Sequence, residues 1–165
     1  LIGVSLSTLL FTHKYQIKLS LIVDLVVPAF PLGYMFGRLG NFINGELYGR
    51  ATQKIWGMYF PTDSEGMLRH PSQLYEAFFE GLFLFIIFWP LRKTIKNGLM
   101  GPLYFIGYGT VRFFIEFVRE PDPHIGFVFG PFSMGQLLCF GMVFGGIGWL
   151  MVLIFLRKRH SVDQS

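Results

Sequence analysis

Cysteine is almost missing from this chain of 165 residues, and the one present, Cys139, lies inside an apolar run. That excludes a disulfide framework and a cysteine-built metal site, so Cys139 reads as a packed helix residue. Charge is scarce too: Asp, Glu, Lys and Arg make up 15% of the residues, against about 25% in soluble domains. The shortage excludes an ordinary water-soluble domain. Hydrophobic residues reach 52%, twenty residues are Phe and the mean hydropathy is +0.49, more apolar surface than a soluble core of this size could hide. Repeats and low-complexity tracts are also lacking.

The net charge of +4 could suggest nucleic acid, but its distribution speaks against that partner. Lys14, Lys18, Arg92, Lys93, Lys96, Arg157, Lys158 and Arg159, eight of the fourteen basic residues, flank apolar runs, as membrane-topology signals do. The other six are Arg38, Arg50, Lys54, Arg69, Arg112 and Arg119, five of them arginine.

The runs themselves predict an all-α, polytopic membrane bundle. Residues 1–12 are apolar but fall short of the roughly 20 residues a span takes. With no initial Met, they are expected to be the tail of a helix that starts earlier. Residues 21–37 carry Asp24, Pro28 and Pro31, which predicts a kinked or broken helix. Residues 74–91, 99–118 and 134–156 form three further runs, the last with no charge in 23 residues. Basic clusters follow residues 12, 91 and 156 ("HKYQIK", "RKTIK", "RKRH"), and these ends should be cytoplasmic. About five alternating spans satisfy all three clusters and place residues 37–72 and 119–132 on the opposite face, as a polar loop region. The whole of 1–165 reads as a single membrane domain.

Helix-start signals agree. "HPSQ" offers His70 as a cap, Pro71 as first helical residue and Gln73 as a side chain reaching back; "SMGQ" at Ser133 repeats the pattern. Gly141 and Gly145 form a small-xxx-small pair suited to helix packing. The tail "HSVDQS" is expected to be frayed.

Against this apolar background, certain polar residues stand out. Tyr108, Arg112, Glu116 and Arg119 share one helical face, and each charge near the bilayer centre costs on the order of 2.5–3.5 kcal/mol by insertion scales. Either Arg112 and Glu116 form a self-neutralising pair that pins two helices, or two arginines against one glutamate leave a positive charge for an anion. Gln73, Glu76 and Glu80 line a second face, where Glu76 could simply pair with an arginine of another helix. The stretch "GRLGNFINGELYGR", residues 37–50, joins the two faces. There Arg38, Asn41 and Gly45 share a face if helical, and the glycines let backbone amides approach a ligand if the stretch is a loop. An arginine fork suits phosphate; an interfacial turn with snorkelling arginines is the alternative. On chemistry alone, both stand.

The same stretch resembles the signature of bacterial prolipoprotein diacylglyceryl transferases. "WGMYFP" at Trp56, "RHPSQLYEAFFEG" at Arg69, "RFFIEFVREPD" at Arg112 and "SMGQLL" at Ser133 resemble further family stretches in the same order, so the likeness runs over nearly the whole chain. It implies transfer of the diacylglyceryl group of phosphatidylglycerol to the lipobox cysteine thiol of a prolipoprotein signal peptide. The products are a thioether and glycerol 1-phosphate, and neither cofactor nor metal is implied. It further implies a multi-pass protein of the bacterial cytoplasmic (inner) membrane, among membrane lipids, with its active site toward the periplasmic or outer face.

Residue by residue, Arg38 and Arg112 match the family's essential arginines and are expected at the lipid phosphate, with Glu116 orienting arginine. Asn41, Asn44, Glu46, Gly49, Arg119, His70, Gln73, Tyr75 and Glu76 match motif positions expected to line the substrate site. Family members have seven spans, and a His-Gly-Gly stretch expected before Leu1 supplies the proposed base. His13 and His160 fall on the cytoplasmic side, His70 matches another motif and His124 is no obvious replacement, so residues 1–165 alone are expected to be inactive. A phospholipid-binding or transport protein without catalysis is the runner-up. A polytopic hydrolase would need a Ser–His pair, and Ser72 with His70 fits a helix cap better.

Overall fold

The computed structural model describes residues 2–95, 98–120, 127–130 and 132–162. Lys96, His124, the Pro121–Asp122 part of "REPD" and the last three residues of the tail lie outside these. The chain is helical, as the runs predict: α1 (Ile2–Tyr15), α2 (Leu19–Val26), α3 (Phe30–Ile43), α4 (Ser72–Tyr75), a π-helical segment (Glu76–Phe83), α5 (Leu84–Leu91), α6 (Met100–Ile115) and α7 (Met134–Val162). Strands β1 (Phe127–Phe129) and β2 (Phe132–Ser133) pair antiparallel just before α7.

Among the described residues, two helices are long and apolar enough to cross a membrane by themselves: Ser72–Leu91, which joins α4, the π segment and α5, and Met134–Arg159. A third crossing arises if α2 and α3, bent by 48° at their junction, count as one span. The bend is the one that the prolines predict. Pro28 stands in the break and Pro31 in the first turn of α3, where a missing N–H leaves no intrahelical bond unmade. The expected fourth crossing is shorter than its apolar run. At 16 residues, α6 rises only about 24 Å, because Glu116 already caps its C-terminal end.

The start of α6 is fixed from another helix. Asp24 of α2 accepts from the backbone N–H of Gly98 (2.5 Å) and of Met100 (3.2 Å), which supplies both a hydrogen-bond acceptor and the negative charge a helix N-terminus favours. Gly98 has φ +85° and its position leaves no room for a side chain: a Cβ would lie 2.8 Å from Cβ of Ser20. Below this junction Leu84, Phe88, Met100 and Tyr104 form the buried apolar core, flanked by Val27, Leu91 and Leu103.

Helices α6 and α7 pack through glycine, though not through the pair expected. Added Cβ atoms at Gly141 and Gly145 would meet nothing within 4 Å; at Gly109 one would lie 3.1 Å from the Cys139 carbonyl, and at Gly146 3.0 Å from the Pro102 carbonyl. The spacing of Gly141 and Gly145 was right for packing, but the register of α7 turns that face outward. The helix also continues through Val162, so residues 160–162 of the tail are not frayed.

The segment between α3 and α4 is held by backbone pairing. Arg69 exchanges two bonds with Met58, each 2.9 Å; Gly49 N–H donates to the His70 carbonyl (2.8 Å) and Arg50 N–H to that of Val118 (3.0 Å). Beneath them Arg69 grips Asp63 with two donors, Nε to Oδ2 (2.9 Å) and Nη2 to Oδ1 (3.1 Å), and Asp63 also accepts from the backbone of Glu65 and Met67. The Arg69 guanidinium thereby holds the Asp63 carboxyl below its ordinary range.

Asp24→Ala should lower the thermal stability of the detergent-solubilised protein by about 1 kcal/mol, the usual cost of a lost helix cap, and Gly98→Ala should lower it further. Thermal unfolding followed by circular dichroism measures both, and an unchanged midpoint for both variants contradicts the cross-helix cap. For the loop, a depressed carboxyl pKa means a contribution that is complete above the unfolded value of about 3.9 and lost as pH falls through the folded value. Protease resistance of residues 45–71 should therefore hold from neutral pH to about 5 and fall below about 4, whereas Asp63→Asn should be cleaved readily already at pH 7.

Candidate functional site

Helix α3 carries the first half of "GRLGNFINGELYGR" and ends at Ile43, so Arg38 and Asn41 lie on a helix and the rest of the stretch on a turn. Gly45 (φ +68°) and Leu47 (φ +59°) both adopt left-handed backbone there. That turn presents the carbonyls of Glu46 and Leu47 to the start of α4, where Gln73 Nε2 donates to the first (2.7 Å) and Ser72 Oγ to the second (3.1 Å). The capping box expected from "HPSQ" does not form: Pro71 is the cap residue and no side chain caps the helix. Its polar side chains are committed to the neighbouring loop.

Gly49 is required by closeness. An added Cβ would sit 2.3 Å from the Val118 carbonyl, so only glycine lets this strand pair with Arg119. Arg50 Nε donates to the Arg119 carbonyl (2.8 Å) and steadies the end of α6. His70 Nδ1 lies 3.2 Å from the Tyr75 hydroxyl, and burial pushes its imidazole pKa down, so the ring is neutral at pH 7.

Charged side chains from three helices meet at Glu76, which is fully buried on the π segment. Its Oε2 accepts from the Tyr34 hydroxyl (3.2 Å) and forms ion pairs with Arg38 Nε (2.8 Å) and Arg112 Nη1 (3.1 Å). Arg112 Nη1 also reaches Glu80 Oε1 at 3.1 Å, and its Nη2 reaches Glu116 Oε2 at 3.1 Å. Arg119 approaches Glu116 at 3.9 Å. Tyr34 lies four residues before Arg38, which stacks its guanidinium 4.8 Å from that ring.

The network corrects the charge count made on α6 alone. Two arginines there do not face a single glutamate; Arg38, Arg112 and Arg119 face Glu76, Glu80 and Glu116, so basic and acidic side chains match three to three. The ion pairs pin α3, α6 and the Ser72–Leu91 helix together.

A smaller group surrounds Glu46. Asn44 Nδ2 donates to Glu46 Oε1 (3.4 Å), and the amide orientation that satisfies Asn41 has it donate to the same oxygen (3.3 Å) while accepting from Arg38 Nη1 (3.3 Å). Asn41 thus links this group to Arg38. A groove of about 530 Å³, lined by Phe42, Asn44, Gly45, Met58, Tyr59 and Phe60, opens beside it. No group of three or more metal-ligating side chains occurs among the described residues.

The site residues expected from sequence therefore fall into connected groups: Arg38, Glu76, Arg112, Glu116 and Arg119 in the ion network, Asn41, Asn44, Glu46 and Gln73 beside it, Gly49 at the end of α6, and His70 with Tyr75 on the rim. Tyr34, Glu80 and Ser133 join the network although none was among the expected site residues. The i, i+4 spacing of Tyr34 and Arg38 was a visible signal, and Glu80 stood on the face already noted. Ser133 announced itself only as a cap, which it is: its Oγ accepts from the N–H of Gln136 (3.2 Å) and its N–H donates to Gln136 Oε1 (3.0 Å).

Comparison with known proteins identifies the family. Residues 1–152 match the family model described as prolipoprotein diacylglyceryl transferase. The chain is 59% identical over 160 residues to the phosphatidylglycerol–prolipoprotein diacylglyceryl transferase of Chlorobaculum tepidum, covering 96% of this chain and 54% of that protein. It is 45% identical over 166 residues to the protein of that name in Ehrlichia ruminantium (98% and 63% covered), and 48% identical over 160 residues to that in Wolinella succinogenes (96% and 56% covered). It thus spans somewhat over half the length of these curated relatives. An apolar helical protein of the membrane, this chain belongs to the prolipoprotein diacylglyceryl transferase family.

Proposed function

We propose that this chain carries much of the active site of an enzyme that moves the diacylglyceryl group of phosphatidylglycerol onto the lipobox cysteine thiol of a prolipoprotein signal peptide. The observation that carries this is the meeting of Arg38, from the signature helix, and Arg112, from α6, on one buried carboxylate oxygen of Glu76. In the reaction the thiolate sulfur bonds to the terminal glycerol carbon of the diacylglyceryl group. The bond from that carbon to the phosphate oxygen breaks, its electron pair leaves with the phosphate, and glycerol 1-phosphate is released.

A free cysteine has a pKa of about 8.5, so the thiol must lose its proton to a base, which we assign to no residue of this chain. Charge grows on the departing phosphate as the bond breaks. Guanidinium groups already fixed in place stabilise that state more than the ground state. Arg38 and Arg112 take this role, with Glu116 orienting Arg112 and Arg119 beside it. Asn41, Asn44, Glu46 and Gly49 shape the adjoining turn; His70, Gln73, Tyr75 and Glu76 complete the substrate site from the start of the Ser72 helix.

Residues 1–165 act, on this reading, as one membrane unit within a larger transferase domain of the bacterial cytoplasmic membrane. They contribute five of its spans, with the basic clusters inside and the site facing outward. The runner-up, phospholipid binding without catalysis, predicts lipid uptake but no thioether.

The test is a mass-shift assay on a lipobox peptide with the intact protein in phosphatidylglycerol vesicles. Arg38→Ala and Arg112→Ala should each lower turnover by about 10²-fold or more, as loss of one fixed electrostatic donor does. Arg38→Lys should fail to restore it, since lysine lacks the fork. Near-normal turnover in both alanine variants would sink the phosphate assignment.

A further inference from the structure

Glu116 rests on the first turn of α7 in a way that the proposed chemistry does not yet use. Its Oε1 accepts from the Ser133 hydroxyl at 3.0 Å, while its Oε2 accepts from Arg112 at 3.1 Å. The carboxylate occupies the space where a side chain of residue 135 would begin: a Cβ on Gly135 would lie 2.4 Å from Oε1 and 3.1 Å from Oε2. Glu116, Ser133 and Gln136 are all buried, so solvent does not fill in for any lost contact. The acid also sits at the positive end of a 29-residue helix, where a carboxylate is favoured.

From this we infer that Ser133 and Gly135 are positioning residues for Arg112, acting through Glu116. The inference rests on the reading that Arg112 belongs to the transfer site. Ser133 has two separable duties. It caps α7 reciprocally with Gln136, and it holds Glu116. Gly135 has one: it stands in the first turn of α7, and what forbids a side chain there is the carboxylate. The motif "SMGQ" is therefore both a helix start and the seat that keeps one face of the Arg112 guanidinium in register.

The two duties make the inference testable in the intact protein, with lipobox-peptide turnover in phosphatidylglycerol vesicles and thermal unfolding measured side by side. Ser133→Ala removes the cap and the Glu116 bond. It should lower kcat about tenfold, the scale of one hydrogen bond to a charged group, with little change in KM for the lipid. Ser133→Thr keeps the hydroxyl and should restore kcat. Gln136→Ala weakens the cap alone and should lower the melting temperature while leaving kcat near that of the parent. Gly135→Ala, which must push Glu116 aside, should cost about 10²-fold, the effect of an ångström-scale misplacement. In a Glu116→Ala background the same change should cost little more, and Gly141→Ala, made where a Cβ meets open space, should be neutral. If Gln136→Ala slows turnover as much as Ser133→Ala, or if Gly135→Ala remains as costly without Glu116, the inference is overturned. A parent protein that yields no thioether product overturns instead the transfer reading on which it rests.

Discussion

The structure depends on one oxygen atom of Glu76 that has no access to water. Two guanidinium groups and a tyrosine hydroxyl converge on it from α3 and α6, and none of these charges could stay buried alone. Moving an ion from water into a protein interior costs several kcal/mol even after relaxation, and removing one member of a buried pair typically costs 3–5 kcal/mol because its partner is stranded. The network is therefore a docking rule. Helices α3 and α6 and the Ser72–Leu91 helix satisfy their charges only in one mutual register, and β2 is drawn in through Ser133 and Glu116. Apolar contact between helices in lipid carries little such discrimination, since lipid tails are as apolar as leucine.

The oxygen on which these three groups meet stands on the π segment. A wider helical turn is uncommon and concentrates at functional positions, and here it holds both Glu76 and Glu80. Its closest neighbour is α3: a Cβ on Gly81 would lie 2.5 Å from Cβ of Met35. Glycine at that point lets the two backbones approach until Tyr34 and Arg38, on either side of Met35 in sequence, can reach the Glu76 carboxylate. The approach and the ion network are thus two consequences of the same local structure.

Much of this could be read from the sequence, because charge is so rare in it. Arg112, Glu116 and Glu76 stood out as polar residues within apolar runs, Arg38 in the polar stretch beside them, and the prolines at 28 and 31 forecast the break between α2 and α3. What could not be read was pairing across helices. Counting charges on α6 alone suggested an excess of arginine, since Glu76 and Glu80 belong to a different helix. The cap expected at His70 failed for a like reason: Gln73 and Ser72 found carbonyls on the loop at Glu46 and Leu47, contacts that no local pattern encodes. Gly141 and Gly145 had the right spacing, but helix register about its own axis is set by the partner.

A balanced network raises the question of how it would stabilise a departing phosphate. Net positive charge is not required. A transition state is favoured by dipoles already aimed at it, and a strongly cationic pocket would also hold the substrate and the released phosphate tightly. The two arginines differ in how firmly they are tied. Arg112 is held by Glu76, Glu80 and Glu116, whereas Arg38 meets one carboxylate through Nε and is partly exposed, at 17%. A guanidinium carries five N–H donors in a rigid fork. A fork fixed by three carboxylates cannot turn, while Arg38, tied to one carboxylate, the neutral amide of Asn41 and the Tyr34 ring, is held less rigidly. On the proposed reaction, Arg112 sets the field of the site and Arg38 follows the leaving group.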